Sequence, residues 1–286
     1  MTDSPSRRMA FSSRYAGFLC GAHESFPKAA IRLPGFWRAL GRKRATKPWR
    51  PVLDAALSLS AEPDGDILEF GVFKGHSIRH MAARRPDAAL HGFDSFEGFP
   101  DGERRFWDQD FSVAQLPAVP ANVTLHQGFF ETTVPPFVAA WGGQRPRLAL
   151  VHIDCDLFSS THTVFEALGP YLRTGDVIAF DELMNYTEFA THEFLALFLL
   201  LESRGLDFEW AATWGQPYPL AAQKGRMLEA DFAGYRRAGY FQNQAVRLRE
   251  RTGPSHFGTA APPAFVEKLH GDLGHFFDSP AWAEVA

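Results

Sequence analysis

Hydrophobic positions fall into short runs that alternate with longer stretches of helical periodicity. The runs predict strands at 66–70, 89–93, 122–126, 148–154 and 176–181, with two more near 207–213 and 241–248. LALVHID and DVIAF are apolar throughout and bounded by polar turn material, as buried parallel strands are. Helices are predicted at 51–59, 75–84, 161–172 and 189–204, the last with a broad stripe of Phe189, Phe194, Leu195, Leu197, Phe198 and Leu201. QNQAVRLR alternates apolar and polar residues and predicts a closing strand, antiparallel at the sheet edge. Strands alternating with helices imply a parallel sheet covered on both faces. This α/β core is expected over 51–250, flanked by a basic, partly helical N-terminal extension at 1–50 and a C-terminal extension at 251–286.

The extensions and loops follow less regular patterns. Residues 1–14 are polar and poor in branched apolar residues, which predicts disorder. Residues 15–45 carry Tyr15, Phe18, Leu19, Phe26 and Trp37, too apolar for a free tail, and predict short helices broken near Pro27 and Pro34. Such helices would cover the mouth of the site or make a subunit contact, and the latter favours a homo-oligomer. The segment 100–120, rich in charge and aromatics, is a candidate lid. The Gly- and Pro-rich piece 214–227 is a second irregular segment, and 265–277 predicts a docked helix.

Chemistry concentrates where predicted strands end. The first strand reaches Glu69 and Phe70, after which Gly71 and Gly75 flank a sharp turn and helix begins near Ser77. A glycine turn between strand and helix brings an extended ligand close to backbone N–H groups at the carboxyl edge of a sheet. The next strand ends in Asp94, about 25 residues after Glu69, where nucleotide folds place the acid that grips a ribose diol. Gly-x-x-x-Gly lacks the tight phosphate-binding spacing, and Glu69 would repel a phosphate. An acid there suits a positive group, such as an amino acid moiety or a sulfonium.

Further carboxylates follow two later strands. One strand ends at Asp154, with Asp156 two residues on; the next ends at Asp181 and Glu182. If these strands are parallel neighbours, their carboxyl ends lie about 5 Å apart, and Asp154, Asp181 and Glu182 converge. Carboxylates sharing a cleft repel one another unless protons or a cation compensate, and all-oxygen ligation suits Mg²⁺. Such an ion lowers the pKa of an acceptor hydroxyl. Cys155, between two acids, is disfavoured as a thiolate and reads as packing.

Composition narrows the class. The 286 residues are 45% hydrophobic and 22% charged, ordinary for a globular protein. Two cysteines, Cys20 and Cys155, form no framework, so a cytoplasmic location is expected. No apolar run approaches the roughly 20 residues needed to span a bilayer, and no membrane association is expected. Eleven Lys/Arg against Asp3 and Glu24 give residues 1–50 a charge of +9, which leaves −13 for the rest of a chain whose net charge is −4. The basic arm either grips an anion or packs on the acidic body. The short GRKR at 41–44 has no interleaved aromatics, so nucleic acid is not expected as a partner.

Taken together, LEFGVFKGHS, GFDSFEGFP, GFFETTVP, HIDCDLFSST and VIAFDEL resemble, in order across 65–185, the macrocin-type sugar O-methyltransferases, a branch of the class I S-adenosylmethionine-dependent methyltransferases. The resemblance implies a three-layer, Rossmann-like class I methyltransferase fold with a seven-stranded, mostly parallel sheet whose last strand is antiparallel. It implies S-adenosyl-L-methionine and Mg²⁺ as cofactors and a hydroxyl of a sugar or diol-bearing small molecule as acceptor. Glu69, Phe70 and Gly71, with Gly75 and Ser77 in the same turn, would follow the methionine part of the cofactor. Asp94 would hold the ribose, Ser95 and Phe96 would border the adenosine, and Gly128 and Phe129 the adenine side. Asp154, Asp181 and Glu182 fall on the metal ligands, where the family often has Asp-Asp in place of Asp181-Glu182. Asp154 would serve as base, with Asp156 next and His152 or His126 after it. Rival readings are an NAD-dependent dehydrogenase, in which Asp94 holds the nicotinamide cofactor's ribose, and a non-catalytic binding protein on the same scaffold.

Overall fold

The computed structural model describes residues 3–27, 49–100, 111–220, 239–255 and 257–285. Seven strands form one sheet: β1 (Asp66–Phe70), β2 (Leu90–Asp94), β3 (Val123–Gln127), β4 (Leu148–Ile153), β5 (Val177–Phe180), β6 (Leu206–Ala212) and β7 (Gln244–Glu250). Their order is β3-β2-β1-β4-β5-β7-β6. β1 to β5 pair in parallel, and β7 runs antiparallel to both β5 and β6. This is the Rossmann-like class I methyltransferase fold, with the order reversing between β1 and β4. Crevices at such a switch point receive ligands at the carboxyl ends of the strands.

Two helical layers cover the sheet. On one face α2 (Trp49–Leu59) and α3 (His76–Arg84) pack Val52, Leu53, Ile78 and Met81 against Ile67, Leu150 and Ala179. On the other, α4 (Phe130–Ala139), α5 (Phe158–Leu168) and α6 (Glu193–Arg204) pack Val134, Val164, Phe194 and Phe198 against Leu68, Phe70, Ile153 and Phe180. Side chains alternate across a strand, so the positions that join the first face are Ile67 and Glu69, Leu150 and His152, Val177 and Ala179. Continued past the strand ends, that alternation carries Asp154 and Asp181 to the same face.

The N-terminus departs from the sequence expectation. Residues 5–14 are not disordered; they open a twenty-residue helix, α1 (Pro5–Glu24). Ser4 caps it by accepting the Arg7 N–H, and Pro5 occupies the first turn, where no N–H is needed. Phe11 sits 5.3 Å from Phe276 and from Trp282 between ring centroids and 5.7 Å from Phe198, so helix and tail share the core beneath α6. The tail forms α7 (Pro263–Asp272), α8 (Gly274–Phe277) and α9 (Pro280–Val285). Packing of these aromatics outweighs the polarity of the first turns. The apolar residues from Phe11 to Phe26 are thus covered within the chain, and their apolarity no longer argues for a subunit contact. Arg8 pairs with Asp3 and Asp278 and Arg14 with Glu202, so the described part of the basic arm packs on its own acids. The expected helix break near Pro34 and the GRKR at 41–44, residues 101–110 of the candidate lid and residues 221–227 of the second irregular segment lie outside the described residues.

Helix boundaries shift at three places. The sequence expectation has no helix over 130–139; α4 forms there despite Pro135 and Pro136, and Phe130, Val134 and Val138 bury one face of it. α5 starts at Phe158, ahead of the expected 161, and its run ends in a 3-10 turn, Gly169–Tyr171. α6 starts at Glu193, after a 3-10 turn at Phe189–Thr191. No helix among the described residues is long and apolar enough to cross a membrane.

Candidate active site

The turn after β1 is fixed by close backbone contact. Gly71 has φ +95°, and a Cβ there would lie 1.7 Å from the carbonyl oxygen of Asp154, so only glycine lets the ends of β1 and β4 approach this closely. Phe73 follows in a left-handed conformation, and Gly75, also left-handed, caps α3. Asp94 ties this turn to β2. Its Oδ2 accepts the N–H groups of Val72 and Phe73, each at 2.7 Å, and its Oδ1 accepts that of Phe96 at 2.6 Å. Phe73 and Phe96 are both left-handed non-glycine residues, a conformation that needs compensation from its surroundings. The Asp94 carboxylate supplies it.

A cavity opens above this turn. Of the residues expected to bind a cofactor, Gly71, Asp94, Ser95, Phe129 and Asp154 line it, together with Asp156 and the aromatic rings of Phe73, Phe99 and Phe111. Ser95 is held by donating to the Gly98 carbonyl and accepting the Glu97 N–H. The remaining expected residues lie behind the wall. Phe70 is fully buried and stacks on Phe93, Ser77 is buried within α3, and Phe96 is buried beside the Asp94 carboxylate. Gly128 donates its N–H to the Asp94 carbonyl at 3.0 Å. Glu69 is buried at 0% exposure and its Oε1 lies 2.9 Å from His152 Nδ1.

The strand-end acids gather where β4 and β5 finish. Ile153 pairs with Phe180, so Asp154 and Asp181 emerge side by side. A ring nitrogen of His152 and a carboxylate oxygen from each of Asp154 and Asp181 lie within 4.8 Å of one another. Asn243, just before β7, donates to the carbonyl and Oδ1 of Asp181. Glu182 turns to the other side, where its carboxyl hydrogen-bonds that of Asp156. The structure therefore brings together two of the three expected metal ligands, with a histidine as their third neighbour. Glu193, from the first turn of α6, is fully buried and accepts the Asp156 N–H at 3.3 Å.

Burial and mutual repulsion dominate the electrostatics. Burial, then the charges of Asp181, Asp156, Glu69 and Glu193, push Asp154 well above the usual carboxylate range. Burial and Asp181 raise Asp156 to about 7 against the lowering effect of its bond to Glu182. Glu182 and Glu193 are raised well above normal by burial and by Asp156 and Asp181. Burial lowers His192 to about 4 although it donates to the backbone of Asp156. These are the shifts of a buried enclosure that holds several acids close together, where protons or a cation relieve the repulsion. Burial, with Glu193 second, raises the Cys155 thiol well above normal, as befits packing. His126 lies elsewhere, 3.1 Å from His91 and stacked on Phe93.

Glu193 is absent from the sequence expectation, and His152, expected there only as a lower-ranked base, stands as third neighbour to the two aspartates. His152 precedes Asp154 by two and so shares its face of β4, a spacing visible in the sequence. Glu193 stands among apolar residues in a buried helix turn, and an acid in that setting is the signal that was available.

Comparison with known proteins bears on the core. Residues 68–183 match a family model described as a methyltransferase domain; the match spans β1 to β5 and every acid of the cluster except Glu193. A Streptomyces olivaceus protein, 8-demethyl-8-(2,3-dimethoxy-alpha-L-rhamnosyl)-tetracenomycin-C 4'-O-methyltransferase, is 31% identical over 143 aligned residues, covering 41% of this chain and 52% of that protein. The chain thus spans about half the length of this curated relative. Among solved structures, CalS11, a calicheamicin methyltransferase, aligns with TM-score 0.49 and 22% identity over 86% of this chain and 94% of its own. The O-methyltransferase NovP aligns with TM-score 0.43 and 17% identity over 71% and 94%.

Proposed function

We propose that this chain, whose residues 68–183 match a methyltransferase domain, is an S-adenosyl-L-methionine-dependent O-methyltransferase acting on a hydroxyl of a sugar-bearing small molecule. The observation that carries the reading is the convergence of the β2 acid, Asp94, and the β4–β5 acids, Asp154, Asp156 and Asp181, around one crevice at the sheet's switch point. The sugar acceptor follows from the rhamnosyl substrate in the name of the Streptomyces relative.

The residues fit both cofactors. Gly71, Asp94, Ser95 and Phe129 line the cavity; Asp94 would hold the ribose diol, and Ser95 and Phe129 would border the nucleoside. Bound there, S-adenosylmethionine would supply an electrophilic methyl group. Asp154 and Asp181 would hold a divalent ion such as Mg²⁺, whose chemistry is to acidify a bound hydroxyl. With those two engaged, Asp156, which lines the cavity, takes the acceptor proton, and Glu182 steadies it through their shared hydrogen bond. The aromatic wall excludes water, so orientation of the acceptor oxygen supplies much of the rate.

Calorimetric titration with S-adenosylhomocysteine and with NAD⁺ tests the reading directly. Binding of the former alone is expected; binding of NAD⁺ in its place points to the dehydrogenase alternative, and binding of neither to a non-catalytic scaffold. Turnover of a rhamnosylated acceptor, lost on EDTA treatment and restored by a divalent ion, is expected to follow.

A further inference from the structure

We infer that His152, oriented by Glu69, is a nitrogen ligand of the ion held by Asp154 and Asp181, so that the site prefers a transition ion such as Mn²⁺ to Mg²⁺; this rests on the metal reading above. Glu69 and His152 are register partners on β1 and β4, which sets their side chains next to each other on one face of the sheet. The carboxylate accepts from Nδ1 at 2.9 Å. That bond fixes the tautomer, because Nδ1 then carries the proton and Nε2 presents a lone pair.

A carboxylate bonded to one ring nitrogen while the other ligates metal is the recurrent arrangement at histidine metal sites, and it both aims the ring and raises its basicity. The donor spacing suits an ion. With bonds of roughly 2.1–2.2 Å, neighbouring donors lie about 3 Å apart and opposite ones about 4.3 Å, and a ring nitrogen of His152 and one carboxylate oxygen each from Asp154 and Asp181 all fall within 4.8 Å of one another.

A merely structural role for the pair leaves a feature unexplained. His152 is 1% and Glu69 0% exposed, yet Glu69 Oε2 is buried with no hydrogen-bond partner. Two apolar side chains would fill this place between strands without that penalty. An ion drawing electron density through the imidazole gives the buried carboxylate a function. Mixed nitrogen and oxygen donors favour first-row transition ions, whereas Mg²⁺ prefers oxygen alone.

The test uses the full chain freed of metal. Mn²⁺ and Mg²⁺ are titrated separately by calorimetry, and the Mn²⁺-loaded protein is examined by pulsed electron paramagnetic resonance for ¹⁴N modulation from a bound imidazole. The expected result is ¹⁴N modulation in the natural protein that is absent in His152→Gln. Mn²⁺ affinity should fall about 10–100-fold in His152→Gln and in Glu69→Gln, with Mg²⁺ affinity changing much less. Mn²⁺ bound without nitrogen modulation overturns the inference and leaves the carboxylate site standing. Absence of Mn²⁺ binding overturns both. Because the spectrum of the natural protein decides by itself, a variant that fails to fold does not rescue the idea.

Discussion

Asp94→Asn separates two jobs that one carboxylate performs. In the cofactor-free protein its oxygens accept three backbone N–H groups, two at Oδ2 and one at Oδ1. An asparagine keeps the shape but has one acceptor atom. With its oxygen toward Val72 and Phe73, its amide N–H₂ meets the N–H of Phe96, and that bond becomes a donor–donor contact. The lost bond to a charged acceptor removes about 1.5–3 kcal/mol, and the two that remain weaken, since neutral pairs are roughly half as strong. At the lower end of these ranges the total is about 3 kcal/mol, and it falls on the two left-handed phenylalanines, Phe73 and Phe96. Urea denaturation of the cofactor-free protein should therefore show a loss of about 3 kcal/mol, and S-adenosylhomocysteine binding should weaken in addition. A variant of unchanged stability that merely binds the cofactor less well would refute the bracing role. Unchanged binding with lowered stability would refute the ribose contact.

Three further outcomes are expected. Phe11→Ala should destabilise the protein by about 3–5 kcal/mol, since the ring lies at 2% exposure among Phe198, Phe276 and Trp282; equilibrium unfolding would show no change if the first turns of α1 were a loose tail. His192 has its folded-state pKa lowered from 6.5 to about 4, so the unfolded chain binds the proton more readily and this residue's contribution to stability is lost as pH falls from about 6.5 to about 4. His192→Gln should lack that slope, by at most about 3 kcal/mol, when unfolding is compared at pH 7 and 4.5; identical slopes would refute it. Gly71→Ala should give little folded protein, because its methyl group has no room against the Asp154 carbonyl; a soluble variant with unchanged circular dichroism and melting would contradict the close approach of β1 and β4.

The sheet was legible because its central strands are apolar on both faces. β4 is buried at every position and β5 likewise, and runs this short, bounded by turn residues, favour strand over helix. What stayed hidden depends on contacts distant in sequence. α1 begins with a run that contains Arg7, Arg8 and Arg14, and Phe11 finds its distant aromatic neighbours in Phe198 and, more than 250 residues on, in Phe276 and Trp282 of the tail. Ser4 followed by Pro5 was a local start signal that the polarity masked. α4 carries two prolines whose penalty is outweighed by burying Phe130, Val134 and Val138, a balance that local propensity cannot display.

The acids illustrate the same division within the site. That Asp94, Asp154 and Asp181 end strands follows from the sequence, and parallel crossovers then oblige their carboxyl ends to meet at one edge. Which acid faces which neighbour depends on the parity of each residue after its strand. Asp181 continues the alternation of Val177 and Ala179, while Glu182, one residue later, takes the opposite side and meets Asp156. The same parity brings His152 alongside Asp154. A pair of adjacent acids in a sequence is therefore two different side chains to a sheet: Asp181 stands beside Asp154 and His152, while Glu182 meets Asp156.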